Sequence, residues 1–465
     1  MKSKLKIVNY LGDYGPINFW QNITKSEIDI DIKFIAENQF NTIILMYPYA
    51  TFKPELDSYE TPYSELLNYI IKVCKNYEID VVLRFGYLWE SNFMEQRTFE
   101  RYSDIYKSTI DSYKSKYLDD FVDLFHYTIK TYDILHAFIS WEDFFWPVRH
   151  IAGTDLNDEI LDIKNKEFIE FILSKIGHHD KLFIEQRTNG IFNPIEYSNT
   201  KLNYSYYNTF CLREQWHDQI KDDYLHIHKN MIVEKQFVEW YSRVSDLLKI
   251  NKDTKNQLVI DQFNIVDNTF DDDDHHFIED DDPKRDCMVT IKNFDTVIDF
   301  ISNLAPHLLG GIGVWCLWDT IVGQAFNGTF KHGQTGYEAD CEFDKENNCF
   351  NIKKGQFVST NFGYVRLESE NPVSFLFDIE TNGSSELRIT YNGQQKIINL
   401  NESEIVNLRF SQNIDRQFEI FVVSGEITLK RIDIFGITLK SFMYNQIRRP
   451  KKSCEATIKM INKFT

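Results

Sequence analysis

The chain has 465 residues, more than one ordinary core holds, so a large domain followed by a smaller one is expected. A hydrophobic content of 43% with 15% aromatic residues excludes a mostly disordered chain. The formal charge of −19 repels nucleic acid and anionic membrane surfaces and favours neutral or cationic ligands.

The N-terminal "MKSKLKIVNYLGDYG" has no apolar stretch of secretory length, and no segment approaches a membrane span. A cytoplasmic location is expected, or a secreted one if a signal has been removed. Seven cysteines without CxxC spacing read as reduced thiols, with Cys341 and Cys349 able to pair only in an oxidising setting.

From residue 5 to about 325, strand-like runs alternate with amphipathic stretches. Strands are predicted at "KIVNYLG", 41 to 49, 80 to 89, 135 to 143, 181 to 190, 203 to 213, 257 to 266 and 311 to 320. Helices are predicted at 25 to 38, 63 to 77, 100 to 133, 158 to 176, 230 to 249 and 295 to 308. Eight strands in this order fit an α/β fold of the (β/α)8 TIM barrel kind over residues 1 to 330. After residue 343 the pattern changes to short strands at turn-separated spacing, from "NCFNIKK" to "ITLKRIDIFG". That is the pattern of an antiparallel, jelly-roll-like β-sandwich over 343 to 441. The basic stretch 442 to 465 is predicted to form a tail whose helix docks on the acidic body.

In such a barrel, reacting groups come from the C-terminal ends of strands. With alternate side chains taken as inward, the polar residues there are Tyr47, Arg84, Ser140 with Glu142, Glu185 with Arg187, Gln262, and Asp319 beside Trp315. Carboxylates, arginines and indoles, Trp141 among them as an expected sugar contact, together suit a sugar, whose apolar faces stack on rings while its hydroxyls take charged partners. Glycosidic cleavage needs one carboxyl to protonate the leaving oxygen and a second as nucleophile or base. Glu142, between Trp141 and the aromatic run Phe144 to Trp146, is the candidate acid, since burial would hold its proton near neutral pH. The structural alternative is that Glu142 or Asp143 pairs with an arginine or caps a loop. For the second carboxyl the sequence offers Glu185 on the fifth strand and Asp261 on the seventh; the structural alternatives are a salt bridge for Glu185 and an outward position for Asp261.

Over residues 5 to 325 the chain resembles a clan A glycoside hydrolase of the cellulase and β-galactosidase type. The carrying features are "ISWEDFF" at strand four, "LVIDQFN" at strand seven and "GVWCLWD" at strand eight. The resemblance implies an acid/base at Glu142 and a subsite floor at Trp315 or Trp318. The chain departs from the clan in two places: Trp141 replaces the Asn before the acid, and Gln262 falls where the nucleophilic Glu belongs, with Asp261 one place off. A retaining hydrolase, a substrate-assisted one, and a carbohydrate-binding protein that has lost hydrolysis all remain open. A barrel lyase or transferase that holds an acidic sugar with Arg84 and Arg187 is a further alternative.

No cofactor motif is present, neither a phosphate loop nor a GxSxG elbow, and a carbohydrate is the expected partner. "LHIH", with His226 and His228, lacks the first-strand context of a barrel metal site. "GHHD" at 177 to 180 reads as a helix terminus. The acidic segment 271 to 282 lacks EF-hand spacing and reads as a solvated loop at the barrel mouth. All eight Trp precede residue 319, so a glycan-binding sandwich would depend on Tyr364, Tyr391 or phenylalanines. A structural sandwich is favoured.

Overall fold

The computed structural model describes residues 4–56, 61–88 and 97–187 apart from 154, 178 and 180, the strands 203–209 and 258–264, and the greater part of 311–462. Eight strands pair in parallel, in chain order: β1 (Leu5–Asn9), β2 (Thr42–Met46), β3 (Asp80–Arg84), β4 (His136–Ser140), β5 (Leu182–Arg187), β6 (Asn203–Thr209), β7 (Leu258–Asn264) and β8 (Gly311–Val314). On its other edge β1 pairs with β8, Leu5 opposite Gly311, so the ladder returns to its start. Gly311 permits that seam: a Cβ there would stand 2.2 Å from the Leu5 carbonyl oxygen.

The helices described ahead of β5 are α1 (Gly15–Asn22), α2 (Lys25–Glu37), α3 (Tyr49–Phe52), α4 (Pro62–Asn76), α5 (Arg97–Ile110), α6 (Leu118–Thr131), α7 (Trp141–Ala152) and α8 (Asp158–Ile176). Local sequence sets their starts. Thr24 and Thr61 cap α2 and α4 reciprocally with Glu27 and Ser64, and Pro62 occupies the first turn of α4, where a missing N–H costs nothing. One long helix was expected over 100 to 133; the chain instead breaks between α5 and α6, where Asp104 accepts from the hydroxyls of Tyr113 and Ser115. Gly177 ends α8 with a φ of 77°, so "GHHD" does mark a helix terminus. The helices expected at 230 to 249 and 295 to 308, and the segments holding His226, His228 and 271 to 282, lie outside the described residues.

Strand alternation divides the core. Val8, Ile43, Leu45, Val81, Leu83, Ala137 and Ile139 pack with the helices in one large cluster. Ile7, Ile44, Val82 and Phe138 form a separate cluster, the inner face of the strand ring. Two residues farther along the same parity stand Asn9, Met46, Arg84 and Ser140, at the strands' C-terminal ends, all buried.

The predicted eighth strand stops at Val314. Beyond it β9 (Thr320–Gly323) leaves the ring and pairs with the second unit. That unit comprises β10 (Glu338–Ala339), β11 (Glu342–Asp344), β12 (Cys349–Lys353), β13 (Phe357–Asn361), β14 (Val373–Thr381), β15 (Ser385–Tyr391), β16 (Gln394–Leu400), β17 (Glu404–Phe410), β18 (Gln417–Ser424) and β19 (Glu426–Leu439). They form two antiparallel sheets, ordered β10-β13-β18-β15-β16 and β11-β12-β19-β14-β17. Burial that alternates residue by residue, as along β15, puts Phe350, Phe375, Phe377, Tyr391 and Phe418 between the sheets. The same core takes in Phe330, ahead of the expected start at 343.

The end of the chain returns to the first unit. The helix α9 (Cys454–Asn462) and the segment before it bury Met443, Tyr444, Cys454 and Ile461 in the cluster shared with α2 and β1. Arg448 reaches Asp13 at 2.9 Å and Asp31 at 3.0 Å and covers the Trp318 ring at 4.3 Å. Burial pushes the Asp31 carboxyl up to about 7, against the downward pull of Arg448.

Candidate functional site

The "ISWEDFF" stretch carries the site, with a geometry different from the expected strand. β4 ends at Ser140, and Trp141 already begins α7. The Ser140 side chain accepts the Asp143 backbone N–H at 3.3 Å, an N-cap that places Glu142 and Asp143 in the first turn, where the helix dipole favours carboxylates. Trp141, proposed as a sugar contact, is buried, stacks on Phe145 with ring centres 4.7 Å apart, and gives its carbonyl to Asn165 of α8 at 3.0 Å. Its indole packs the corner that turns the strand into the helix.

The desolvated carboxylate is the neighbour of the one expected. The Glu142 side chain is 34% exposed, whereas Asp143 is 1% exposed. Burial pushes the Asp143 carboxyl up to about 6; Arg84 pulls it down, Glu142 pushes it up, and hydrogen bonds from Ser140 and the Leu88 N–H favour its charged form. The aromatic residues around "WEDFFW" therefore shield Asp143 and leave Glu142 at the opening.

Arg84, at the C-terminal end of β3, is the hub. Its Nη2 donates to Ser140 Oγ at 3.2 Å and stands 3.9 Å from Glu142 Oε2, while its Nε lies 3.6 Å from Asp143 Oδ2. The Tyr87 ring lies 5.9 Å from the guanidinium carbon. Gly86 lets the chain beyond β3 pass this close to β4, since a Cβ there would come 2.8 Å from the Ser140 nitrogen.

Two other sequence candidates take structural positions. The register sets Met46 opposite Arg84, so Tyr47 falls on the other face, where it donates to or accepts from Thr128 of α6 at 3.0 Å and stacks on Phe52 and Phe85. An alternation shifted by one residue had put it inside. Trp318 is buried against Tyr10, Phe34 and Arg448 and forms no subsite floor. Trp315 and Asp319 lie outside the described residues.

For Glu185, Arg187, Asp261 and Gln262 the backbone is described and the side chains are not. Glu185 pairs with Ser140, Arg187 with Tyr207, and Tyr207 with Gln262. Asp261 falls where the ladders of β7 to both β6 and β8 shift register, so simple alternation does not carry through it.

Sequence reasoning missed two things. The spacing Ser140-x-x-Asp143 resembles a capping box and could have announced the helix start. The second is a buried network beyond β2: Lys53 Nζ meets Asp120 at 2.5 Å, the Tyr49 hydroxyl donates to the same carboxylate, and Arg101 holds the Lys53 carbonyl at 2.6 Å. No local pattern announced this network, because its members come from three elements. Among the described residues no group of His, Cys, Asp or Glu is arranged to hold a metal, and no helix is long and apolar enough to cross a membrane. The five described cysteines are free thiols. In the sandwich Tyr391 is buried and offers no sugar platform; Tyr364 lies outside the described residues.

No family model and no curated protein matches the chain. Solved structures to which the chain is similar include a mutant Glycoside Hydrolase Family 5 mannosidase from Rhizomucor miehei in complex with mannosyl-fructose, 12% identical, covering 68% of this chain and 81% of that one with a TM-score of 0.39. A GH5_18 protein from Bifidobacterium longum subsp. infantis is 10% identical, with 68% and 70% covered and a TM-score of 0.41. A GH5_18 mutant from Streptomyces cattleya in complex with Manb1-4GlcNAc is 9% identical, with 68% and 72% covered and a TM-score of 0.39.

Proposed function

We propose that the chain is a glycoside hydrolase built on a (β/α)8 barrel, with Glu142 as general acid/base, acting on an oligo- or polysaccharide. The observation that carries the reading is the position of Glu142. It stands in the first turn of α7, directly after the C-terminal end of β4, partly exposed and 3.9 Å from the buried Arg84. A proton donor must reach a leaving oxygen, and of the two adjacent carboxyls only Glu142 is accessible. Arg84 and Ser140, both buried at the same strand ends, support the turn that carries Glu142 from beneath.

The second carboxylate is Glu185 or Asp261. The pairing of Glu185 with Ser140 supports the former, since Ser140 caps the helix whose first turn carries Glu142 and Glu185 stands level with that cap on the neighbouring strand. A retaining mechanism requires carboxyls about 5 to 5.5 Å apart, and an inverting one a gap of about 6.5 to 9.5 Å that admits water. The second reading, a carbohydrate-binding protein without hydrolysis, is favoured by Gln262 at the strand-seven position where the resemblance implies a nucleophile.

The test is a panel of aryl glycosides and polysaccharides with wild type and Glu142→Gln. Cleavage by wild type that falls by on the order of 10²-fold or more in the variant supports the assignment. Equal cleavage by both of the polysaccharides, whose leaving oxygen needs a proton, removes Glu142 from the mechanism, and binding without cleavage by wild type selects the second reading.

A further inference from the structure

We propose that Asp143 is a positioning residue that acts through Arg84: it is the buried counter-ion that holds the guanidinium between itself and Glu142. The proposal rests on the reading of Glu142 as the proton donor.

The geometry is a three-member row. Asp143 lies behind Arg84, against Nε at 3.6 Å; Glu142 lies in front, toward Nη2 at 3.9 Å. Arg84 and Asp143 are both nearly inaccessible, so neither can exchange its partner for water. Asp143 cannot touch a substrate from there. It can bias where Arg84 sits through charge, since the buried ion pair draws Nε toward Asp143 while Nη2 meets Ser140 and stands near Glu142.

The row is also poised to respond to protons. The charged groups acting on Asp143 are Arg84 from β3 and Glu142 from its own helix, with Ser140 and the Leu88 N–H as neutral donors. Of the other elements packed on α7, α5 and α8 present rings, Tyr102 and Phe168, to Phe144. β5 carries Glu185 and Arg187. The Asp143 carboxyl titrates near 6, so below that pH Arg84 loses its counter-ion while Glu142 remains beside it.

The experiment is nuclear magnetic resonance of the full chain labelled with ¹⁵N-arginine, with Arg84→Lys assigning the Arg84 Nε–H signal. The signal is expected to shift with an inflection near pH 6 in wild type, in Glu142→Gln and in Glu185→Gln, and to lose that inflection in Asp143→Asn. An inflection that survives in Asp143→Asn, or a signal that is flat from pH 5 to 7 in wild type, overturns the proposal. If Asp143→Asn does not fold, wild type labelled with ¹³C-aspartate decides: a buried aspartate carboxyl titrating together with the Arg84 signal supports the pairing, and separate titration refutes it. In parallel, kcat/KM of Asp143→Asn on the best aryl glycoside is expected to fall roughly 10- to 100-fold, the cost of a misplaced group. A wild type that cleaves no glycoside removes the hydrolase reading and leaves the Arg84 signal to decide the pairing.

Discussion

Replacing Arg84 by Met tests the electrostatics of the site through stability alone. The substitution keeps an apolar stem and removes the charge facing the buried Asp143. In wild type the folded state already holds the Asp143 proton more tightly than the unfolded chain does, about 6 against 3.8, so this carboxyl makes the fold less stable as pH rises from about 4 to about 6. Above 6 wild-type Asp143 is charged, paired with Arg84, and adds no further slope. Without Arg84 the carboxyl keeps its proton to higher pH, and the loss continues at about 1.4 kcal/mol per pH unit. The cost of Arg84→Met relative to wild type should therefore be smallest at pH 5, larger by about 1 kcal/mol at pH 7 and by about 3 kcal/mol at pH 8, within the range for breaking a buried pair. Urea denaturation followed by tryptophan fluorescence reads it, because all eight Trp precede residue 319 and report the first unit. In an Asp143→Asn background the pH-dependent part should vanish. A cost that is constant from pH 5 to 8, or unchanged in that background, would refute the reasoning.

Gly86→Ala should lower stability by about 1 to 3 kcal/mol and cleavage with it, since the new methyl meets the Ser140 backbone at 2.8 Å; unchanged denaturation and kinetics would contradict the close approach. Lys53→Met leaves Asp120 buried with only the Tyr49 hydroxyl in place of an ammonium, and should cost about 3 to 5 kcal/mol in the same denaturation assay, with partial recovery in Lys53→Met/Asp120→Asn. Ile461→Ala should destabilise the first unit by about 2 to 5 kcal/mol despite lying at the far end of the sequence, because its side chain is 1% exposed within that core; a loss confined to the sandwich transition would contradict the docking of α9.

The periodic parts of the fold were legible in the sequence. Short apolar or aromatic runs marked all eight strands of the ring, and turn-separated runs from "NCFNIKK" to "ITLKRIDIFG" marked eight sandwich strands at β12 to β19. The errors occur where a local pattern fits two structures. "FISWEDFFW" is apolar enough for a strand, yet Ser140 caps a helix within it, and that choice exchanged the buried and exposed carboxylates. "MYPY" carries no mark of parity, and Tyr47 fell on the helix face once the register of β2 with β3 was fixed. Arg84 and Ser140 were placed correctly because both sit on the strand-end parity of the inner cluster. The role of Trp318 was beyond local reading, since its partner Arg448 is 130 residues away.

The most direct test of the central claim is the leaving-group dependence of Glu142→Gln. If Glu142 protonates the departing oxygen, the variant should lose on the order of 10²- to 10⁴-fold in kcat/KM on glycosides with poorly acidic leaving groups and far less on those whose phenolate departs unaided. An equal loss across the series, or none, would contradict the assignment of Glu142 as the acid.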